Sequence, residues 1–254
     1  MRVLSLGLGV QSFTLAAMAA LGDIEPLDYA IHADTGYEAM LTYKFAGFWT
    51  EWLESHKVKV ITVRELHNPI IISRGGGEIY IPAFTESKSK NGGMLHRQCT
   101  GRWKIKPIRK FLQEKRNGES IEMLLGISTD EWQRMKDSDV KYITNIYPLI
   151  DKKMSRYDCM NYLAKHELQI PAKSACYFCP FHTTREWNVV RKTSDWEKVI
   201  KVDEMIRYAR PSVAGYRLYL HPSLKPINEV DLRSEMEKGQ MMLWDNECSG
   251  FCGV

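Results

Sequence analysis

The chain opens with a strand-sized apolar run that breaks into glycines and restarts as a helix, and this succession constrains the fold more than any other feature. Arg2 to Leu6 is short, apolar and partly β-branched; Gly7 and Gly9 follow, and Ser12 to Leu21 is apolar and Ala-rich. This order predicts strand, tight loop, helix. Gly22 and Pro26 stop the helix, and Tyr29 to Ala33 reads as a second strand ending at Asp34-Thr35-Gly36. Glu38 to Ser55 carries apolar and aromatic residues at helical spacing, and Val58 to Val63 alternates as a third strand. Strands alternating with helices imply a mainly parallel sheet covered on both faces. The expected class is α/β, doubly wound, with a core over residues 1–150 and a helical, cysteine-containing C-terminal region over 151–254 packed on it.

Further along, Ser73 to Gly93 contains two glycine clusters with little periodicity and reads as a mobile loop. Trp103 to Lys115 reads as a basic helix, Met123 to Ile127 as a strand, and Tyr142 to Leu149 as extended. Ser155 to His166 reads as a helix with Ser155 as N-cap and Asp158 in its first turn. Arg185 to Tyr208 reads as a long helix broken near Ser194, and Glu235 to Leu243 as a last regular segment.

Apolar residues make up 44% of the 254, enough for a sizeable core. No run of apolar residues reaches the length of a membrane span, and the N-terminus lacks the pattern of a signal peptide. The expectation is a cytoplasmic protein with no membrane partner, in which six cysteines serve as metal ligands or redox thiols rather than disulfides. Residues 86 to 116 hold ten Lys and Arg against two acids, a local excess of +8 in a chain whose net charge is +4. Such a segment suits the phosphates of a nucleotide or a nucleic acid; a solvated helix face explains the individual lysines equally well.

Ser5-Leu6-Gly7-Leu8-Gly9-Val10-Gln11-Ser12 sits between the first strand and helix. A Gly-rich turn there lets backbone N–H groups and the helix N-terminus face an anion, and Ser12 adds a hydroxyl. Gly7-Leu8-Gly9-Val10-Gln11-Ser12 resembles the PP-loop, whose usual form is Ser-Gly-Gly-x-Asp-Ser; it keeps the second glycine and the final serine. It lacks the aspartate, which bears on Mg²⁺ handling and pyrophosphate release. Ala33-Asp34-Thr35-Gly36-Tyr37 resembles the Asp-Thr-Gly that follows the second strand in the sulfonucleotide (PAPS/APS) reductases of the same superfamily. The resemblance implies a Rossmann-like PP-loop fold that binds ATP or a related adenine nucleotide, with Ser5, Gly7, Gly9, Gln11, Ser12, Asp34, Thr35 and Gly36 at the site. Arg102, Lys104, Lys106 and Arg109 would face the pyrophosphate or a polyanionic substrate, and Trp103 could stack on a base.

Cys176-Tyr177-Phe178-Cys179-Pro180 has the spacing with which two thiolates reach one metal. Cys99 and Cys159 bring the number to four, enough for Zn or a [4Fe–4S] cluster. Arg97-Gln98-Cys99-Thr100-Gly101-Arg102 through Ile108 resembles the first cysteine segment of the APS-type reductases, and Lys173 to Pro180 resembles the second. The resemblance implies a [4Fe–4S] cluster held by Cys99, Cys176 and Cys179. Gln98 stands where that family has another cysteine, and Cys159 is the candidate replacement. Gly126-Ile127-Ser128-Thr129-Asp130 through Arg134 resembles the segment whose later arginine meets the substrate's anion, which makes Arg134 a candidate clamp. Glu247-Cys248 resembles the Glu-Cys-Gly tail that carries the reductases' nucleophile; with Cys252 it would equally suit a redox pair, a metal or an inert tail.

Three roles follow. In the favoured one, ATP adenylates a substrate oxygen, pyrophosphate is released, and sulfur or another nucleophile displaces AMP, with nucleic-acid modification as the setting and a sulfur- or electron-donor protein as partner. In the second, Cys248 attacks a sulfonucleotide and releases sulfite. In the third, the fold is a non-catalytic nucleotide- or nucleic-acid-binding module.

Overall fold

The computed structural model describes residues 1–65, 70–72, 78–86, 93–209 and 217–233. In chain order the elements are β1 (Arg2–Ser5), α1 (Val10–Leu21), β2 (Tyr29–Ala33), α2 (Met40–Ser55), β3 (Val60–Val63), β4 (Ile71–Ile72), β5 (Glu78–Ile79), β6 (Phe84–Thr85), β7 (Gly93–Met94), α3 (Lys106–Lys115), β8 (Ile121–Leu124), β9 (Ile143–Ile146), α4 (Pro148–Asp151), α5 (Arg156–Lys165), α6 (Thr184–Arg191), α7 (Trp196–Ile206) and β10 (Leu218–Tyr219). They fall into two compact units, 1–66 with 101–175 and 67–100 with 176–254. This departs from the expected division at residue 150. α4 and α5 belong with the first unit because α5 packs along α1.

The first unit is a five-stranded sheet in the order β3-β2-β1-β8-β9, with every pair parallel. The doubly wound expectation holds. The chain steps outward from β1 to β3, then returns to the other side of β1 as β8, so the winding reverses between β1 and β8. Alternation along the strands sorts the core into two layers. Leu4 and Leu124 join α1, α2 and α5 in a cluster with Phe13, Leu15, Trp49, Leu53 and Leu163. Val3, Ile31, Ile121 and Met123 face the other way and meet Ile108 and Leu112 of α3.

Local chemistry sets the helix ends. α1 stops at Gly22, whose φ of 84° is the left-handed C-cap conformation that favours glycine. Ser155 and Asp158 form the reciprocal capping box at the start of α5, and Thr183 and Glu186 do the same for α6. The basic helix is helical from Thr100, but Thr100–Ile105 is a π-helix that passes into α3. Pro148 and the residues after it form a helical turn where extended chain was expected. The break near Ser194 is present, since α6 ends at Arg191 and α7 begins at Trp196.

In the second unit β10, β6 and β7 form an antiparallel sheet and β4 pairs with β5. The region read as loop therefore contains short strands among its described residues; runs of two residues are too short to show a period. Asp203 of α7 is buried and ties the unit together, accepting from the Leu220 and Ile227 N–H groups at 3.0 and 3.1 Å and pairing with Arg207. The expected segment 235–243, Cys248 and Cys252 lie outside the described residues. Among the described residues, no helix is long and apolar enough to cross a membrane.

Candidate nucleotide site

Because β1 and β2 are parallel, the segments after both strands lie on one edge of the sheet, so Ser12 and Asp34 share that edge. The first loop is closed by Ser12 itself. Its Oγ accepts the Gly7 N–H at 3.1 Å and donates to the Gly9 carbonyl at 3.2 Å. The residue in the left-handed region is Leu8, with φ 58°, and its side chain is part of the core cluster around α1. Gly7 and Gly9 both have room for a Cβ at ordinary contact distance. The close approach belongs instead to Gly126, after β8, where a Cβ would stand 2.6 Å from Ser12 N and 2.8 Å from Ser12 Cα. Helix geometry leaves the first N–H groups of α1 without intrahelical partners, and the helix dipole puts partial positive charge there.

The carboxyl edge of β2 is densely bonded. Asp34 Oδ1 accepts from the Gly36 N–H at 2.8 Å and from the Tyr43 hydroxyl at 2.7 Å, while Oδ2 lies 3.6 Å from Arg64. Burial works to raise the Asp34 pKa, but the Tyr43 and Gly36 hydrogen bonds and Arg64 together outweigh it and hold it below the ordinary value. Burial and the bond to Asp34 push the Tyr43 hydroxyl well up. Gly36 has φ 79°, and any Cβ there would meet the Arg64 guanidinium. Thr35 is buried and accepts the Tyr37 N–H at 3.1 Å, so it shapes the turn.

Beneath these loops lies a buried polar group that sequence reasoning missed. The Glu38 carboxylate has no exposed surface and pairs with Lys104 Nζ at 2.9 Å. Ser174 Oγ donates to it at 3.4 Å and Thr35 Oγ1 at 3.5 Å. His32, also buried, contacts the Leu6 carbonyl through Nδ1 at 3.1 Å. Burial pushes the His32 pKa down, partly offset by the Leu6 bond and by Glu38.

On the α3 side of the same edge, a cleft of about 830 Å³ opens where the winding reverses. Ser5 and Leu125 lie at the strand ends and Ile108, Met123 and Ile143 line its apolar part. Lys106, Arg109 and Lys110 of α3 and Lys136 bring positive charge, with Asp137 and Asp139 among them. Arg109 is paired with Asp139, and Lys106 lies 3.6 Å from Glu65. Ligands of open α/β sheets bind in this crevice outside the carboxyl ends of the strands.

The segment after β8 reaches the first turn of α1. Gln11 Nε2 donates to Glu131 at 3.4 Å, Arg156 Nη1 donates to Gln11 Oε1 at 3.0 Å, and Arg134 pairs with Glu131 at 2.7 Å. Arg134 thus stands one side chain away from Gln11, paired with an acid. Arg102 is exposed. Trp103 is buried, with its ring 5.3 Å from that of Tyr37, so it packs in the unit's interior.

The proposed four-cysteine centre does not fit. Among the described residues, no group of three or more His, Cys, Asp and Glu side chains can hold a metal ion. Cys159 lies fully buried in the apolar cluster around α1, and burial pushes its thiol up to about 11. That environment disfavours the thiolate a metal needs, so Cys159 is a core thiol and not the replacement for Gln98. Cys99, Cys176 and Cys179 are half-buried, fall in one unit, and form no disulfide. Arg97 lies over the Phe181 ring at 5.7 Å, which brings their two segments together, and the Cys179 N–H donates to the Cys176 carbonyl at 2.9 Å. His182 Nε2 contacts the same carbonyl at 3.0 Å.

A five-stranded parallel sheet with helices on both faces, its winding reversing between β1 and β8, defines a doubly wound α/β protein. No protein-family model and no curated protein sequence matches the chain. Among solved structures, it is similar to the phosphoadenylyl-sulfate (PAPS) reductase of Candida auris in its phosphate complex, at 11% identity over 67% of this chain and 74% of that one, with a TM-score of 0.42. It is also similar to the U34-tRNA thiolase NcsA of Methanococcus maripaludis with its [4Fe-4S] cluster, at 13% identity over 83% of this chain and 69% of that one, with a TM-score of 0.44.

Proposed function

We propose that the first unit binds an adenine nucleotide, ATP in the first instance, across the carboxyl ends of β1 and β8, and that the chain is a PP-loop-type enzyme of the PAPS-reductase-like group. In this reading Mg²⁺-ATP adenylates a substrate oxygen, pyrophosphate leaves, and sulfur or another nucleophile then displaces AMP. Nucleic acid is the proposed setting, with a sulfur- or electron-donor protein as second partner. The observation that carries the reading is the basic cleft on the α3 face at the point where the winding reverses.

Each part has a chemical task. The apolar wall of Ile108, Met123 and Ile143 suits a nucleobase. Lys106, Arg109 and Lys110 lie three and four residues apart on one face of α3, where they offset phosphate charge. The first N–H groups of α1 suit an anion. Asp34 accepts from ribose through Oδ2, since Oδ1 already accepts two bonds. Arg134 meets the anionic group of the second substrate once it leaves Glu131. No metal centre and no chemical step is assigned to Cys99, Cys176 and Cys179.

Calorimetric titration with Mg²⁺-ATP, followed by a pyrophosphate-release assay with RNA, DNA and small-molecule acceptors, tests the reading. Saturable ATP binding and acceptor-dependent pyrophosphate release are expected. Absence of ATP binding at millimolar concentration overturns the reading, and sulfite release from a sulfonucleotide without pyrophosphate selects the Cys248 alternative.

A further inference from the structure

We propose that Glu38 is a positioning residue that holds the Lys104 ammonium as a fixed cation at the base of the first loop, for an anion bound at the N-terminus of α1. The inference rests on the nucleotide reading above and adds a residue and a cation to it.

Three observations place the pair. The Glu38 carboxylate is wholly buried and holds the Lys104 ammonium at 2.9 Å, while a third of the Lys104 side chain is exposed. Ser174 donates to the same carboxylate, and a Cβ on Gly9 would lie 3.9 Å from Ser174 Cβ, which puts the pair next to the loop. His32, in contact with the Leu6 carbonyl at the foot of that loop, feels both charges, Glu38 raising its pKa and Lys104 lowering it. The cation therefore sits at the carboxyl edge of β1 and β2.

The pair is poorly explained as a stability device. Burying a carboxylate has a desolvation cost that its partner's attraction only about offsets. A lysine carries considerable rotamer entropy, and an ammonium tethered in advance need not lose it again when an anion arrives. Lys104 lies in the π-helix Thr100–Ile105, and such segments recur at functional sites. Gly101 and Ile105 of the same segment line the basic cleft, so the anchor also fixes one cleft wall.

Electrostatics alone and positioning predict opposite signs. Neutralising Glu38 removes a negative charge near the anion, so unaided Coulomb attraction would tighten binding. If Glu38 acts by holding Lys104, the same change loosens it. The experiment titrates inorganic pyrophosphate and ATP into wild type, Glu38→Gln, Glu38→Asp, Lys104→Met and the Glu38→Gln/Lys104→Met double variant, with melting curves for each. Because a third of the Lys104 side chain is already exposed, Glu38→Gln is expected to fold. Lys104→Met should weaken pyrophosphate binding about tenfold or more, which is the size of one charge-assisted contact. Glu38→Gln should weaken it about fivefold, Glu38→Asp should lie between it and wild type, and the double variant should be no weaker than Lys104→Met. Unchanged or tighter binding by Glu38→Gln overturns the inference while leaving the nucleotide reading standing, and so does a double variant whose losses add. Should Glu38→Gln not fold, Glu38→Asp at wild-type affinity overturns it. Wild type that binds neither probe overturns the nucleotide reading and this inference with it.

Discussion

Gly126→Ala is expected to damage both stability and nucleotide binding, through backbone contact alone. The new Cβ would lie 2.6 Å from Ser12 N, 2.8 Å from Ser12 Cα and 3.0 Å from the Gln11 carbonyl carbon. All three are backbone atoms in the first turn of α1, where Phe13 N bonds to the Gly9 carbonyl at 3.0 Å, so no side chain can rotate away. The turn must retreat by several tenths of an ångström. Overpacking of this kind costs about 1–3 kcal/mol, and at about 2–4 °C per kcal/mol for a chain of this size the melting temperature should fall between about 2 and 12 °C. The retreat also moves the helix N-terminus proposed to face the phosphates, so Mg²⁺-ATP affinity should fall in the same variant. Gly47→Ala is the control. It lies within α2 with nothing near its would-be Cβ, and there alanine should gain about 0.5–1 kcal/mol. Differential scanning calorimetry and ATP titration of both variants decide. If Gly126→Ala melts and binds like wild type, the segment after β8 does not close on α1 as described, and the shared site loses its third wall.

Two further perturbations address single buried groups. Burial holds His32 neutral below its ordinary pKa, so as pH falls below about 6.5 the unfolded chain takes up a proton that the folded chain refuses; stability present above that pH should decline by up to about 1.4 kcal/mol per pH unit until the folded group also titrates. Urea denaturation at pH 7 and 5.5 should show a smaller loss for His32→Gln than for wild type, and equal losses would count against the assignment. Cys159, with its thiol pushed up to about 11, should resist iodoacetamide at pH 8 in the folded protein and react on unfolding, whereas Cys99, half-exposed, is modified in the native state. Peptide mapping that finds native Cys159 alkylated would contradict its place in the core.

Much of the fold was legible because its signals are local. β1, α1, β2, α2 and β3 each have a period or a breaker in the sequence, and the start of α5 is readable from Ser155 followed by Asp158. The parallel order followed from alternation. The division into units was not legible, because residues 101–175 join the first unit through α5 lying on α1 and through β8 entering beside β1, both of which are long-range packing choices. The short strands β4 to β7 are also set by their partners, since two residues carry no period.

The site divides in the same way. Ser12 and Asp34 each follow a strand and belong to a motif, and the parallel pairing puts them on one edge, but the steric demand for glycine lies elsewhere. Gly7 and Gly9 look like the tight turn, yet both tolerate a Cβ, whereas Gly126, 114 residues after Ser12 in the sequence, is the position where only glycine avoids the backbone. Glu38 gave no signal at all: an acid four residues after Asp34, at the start of what reads as a helix, looks like an N-terminal helix acid. Its partner is 66 residues away, and only the fold shows that its carboxylate is buried. Cys159 errs in the opposite direction. Counting thiols makes it a ligand, but it lies in the apolar cluster that also holds Leu4, Phe13 and Trp49, and an apolar wall raises a thiol's pKa regardless of how many cysteines a motif still lacks. Motif spacing thus located the loops, while steric demand and charge pairing between distant segments decide which of their residues can act.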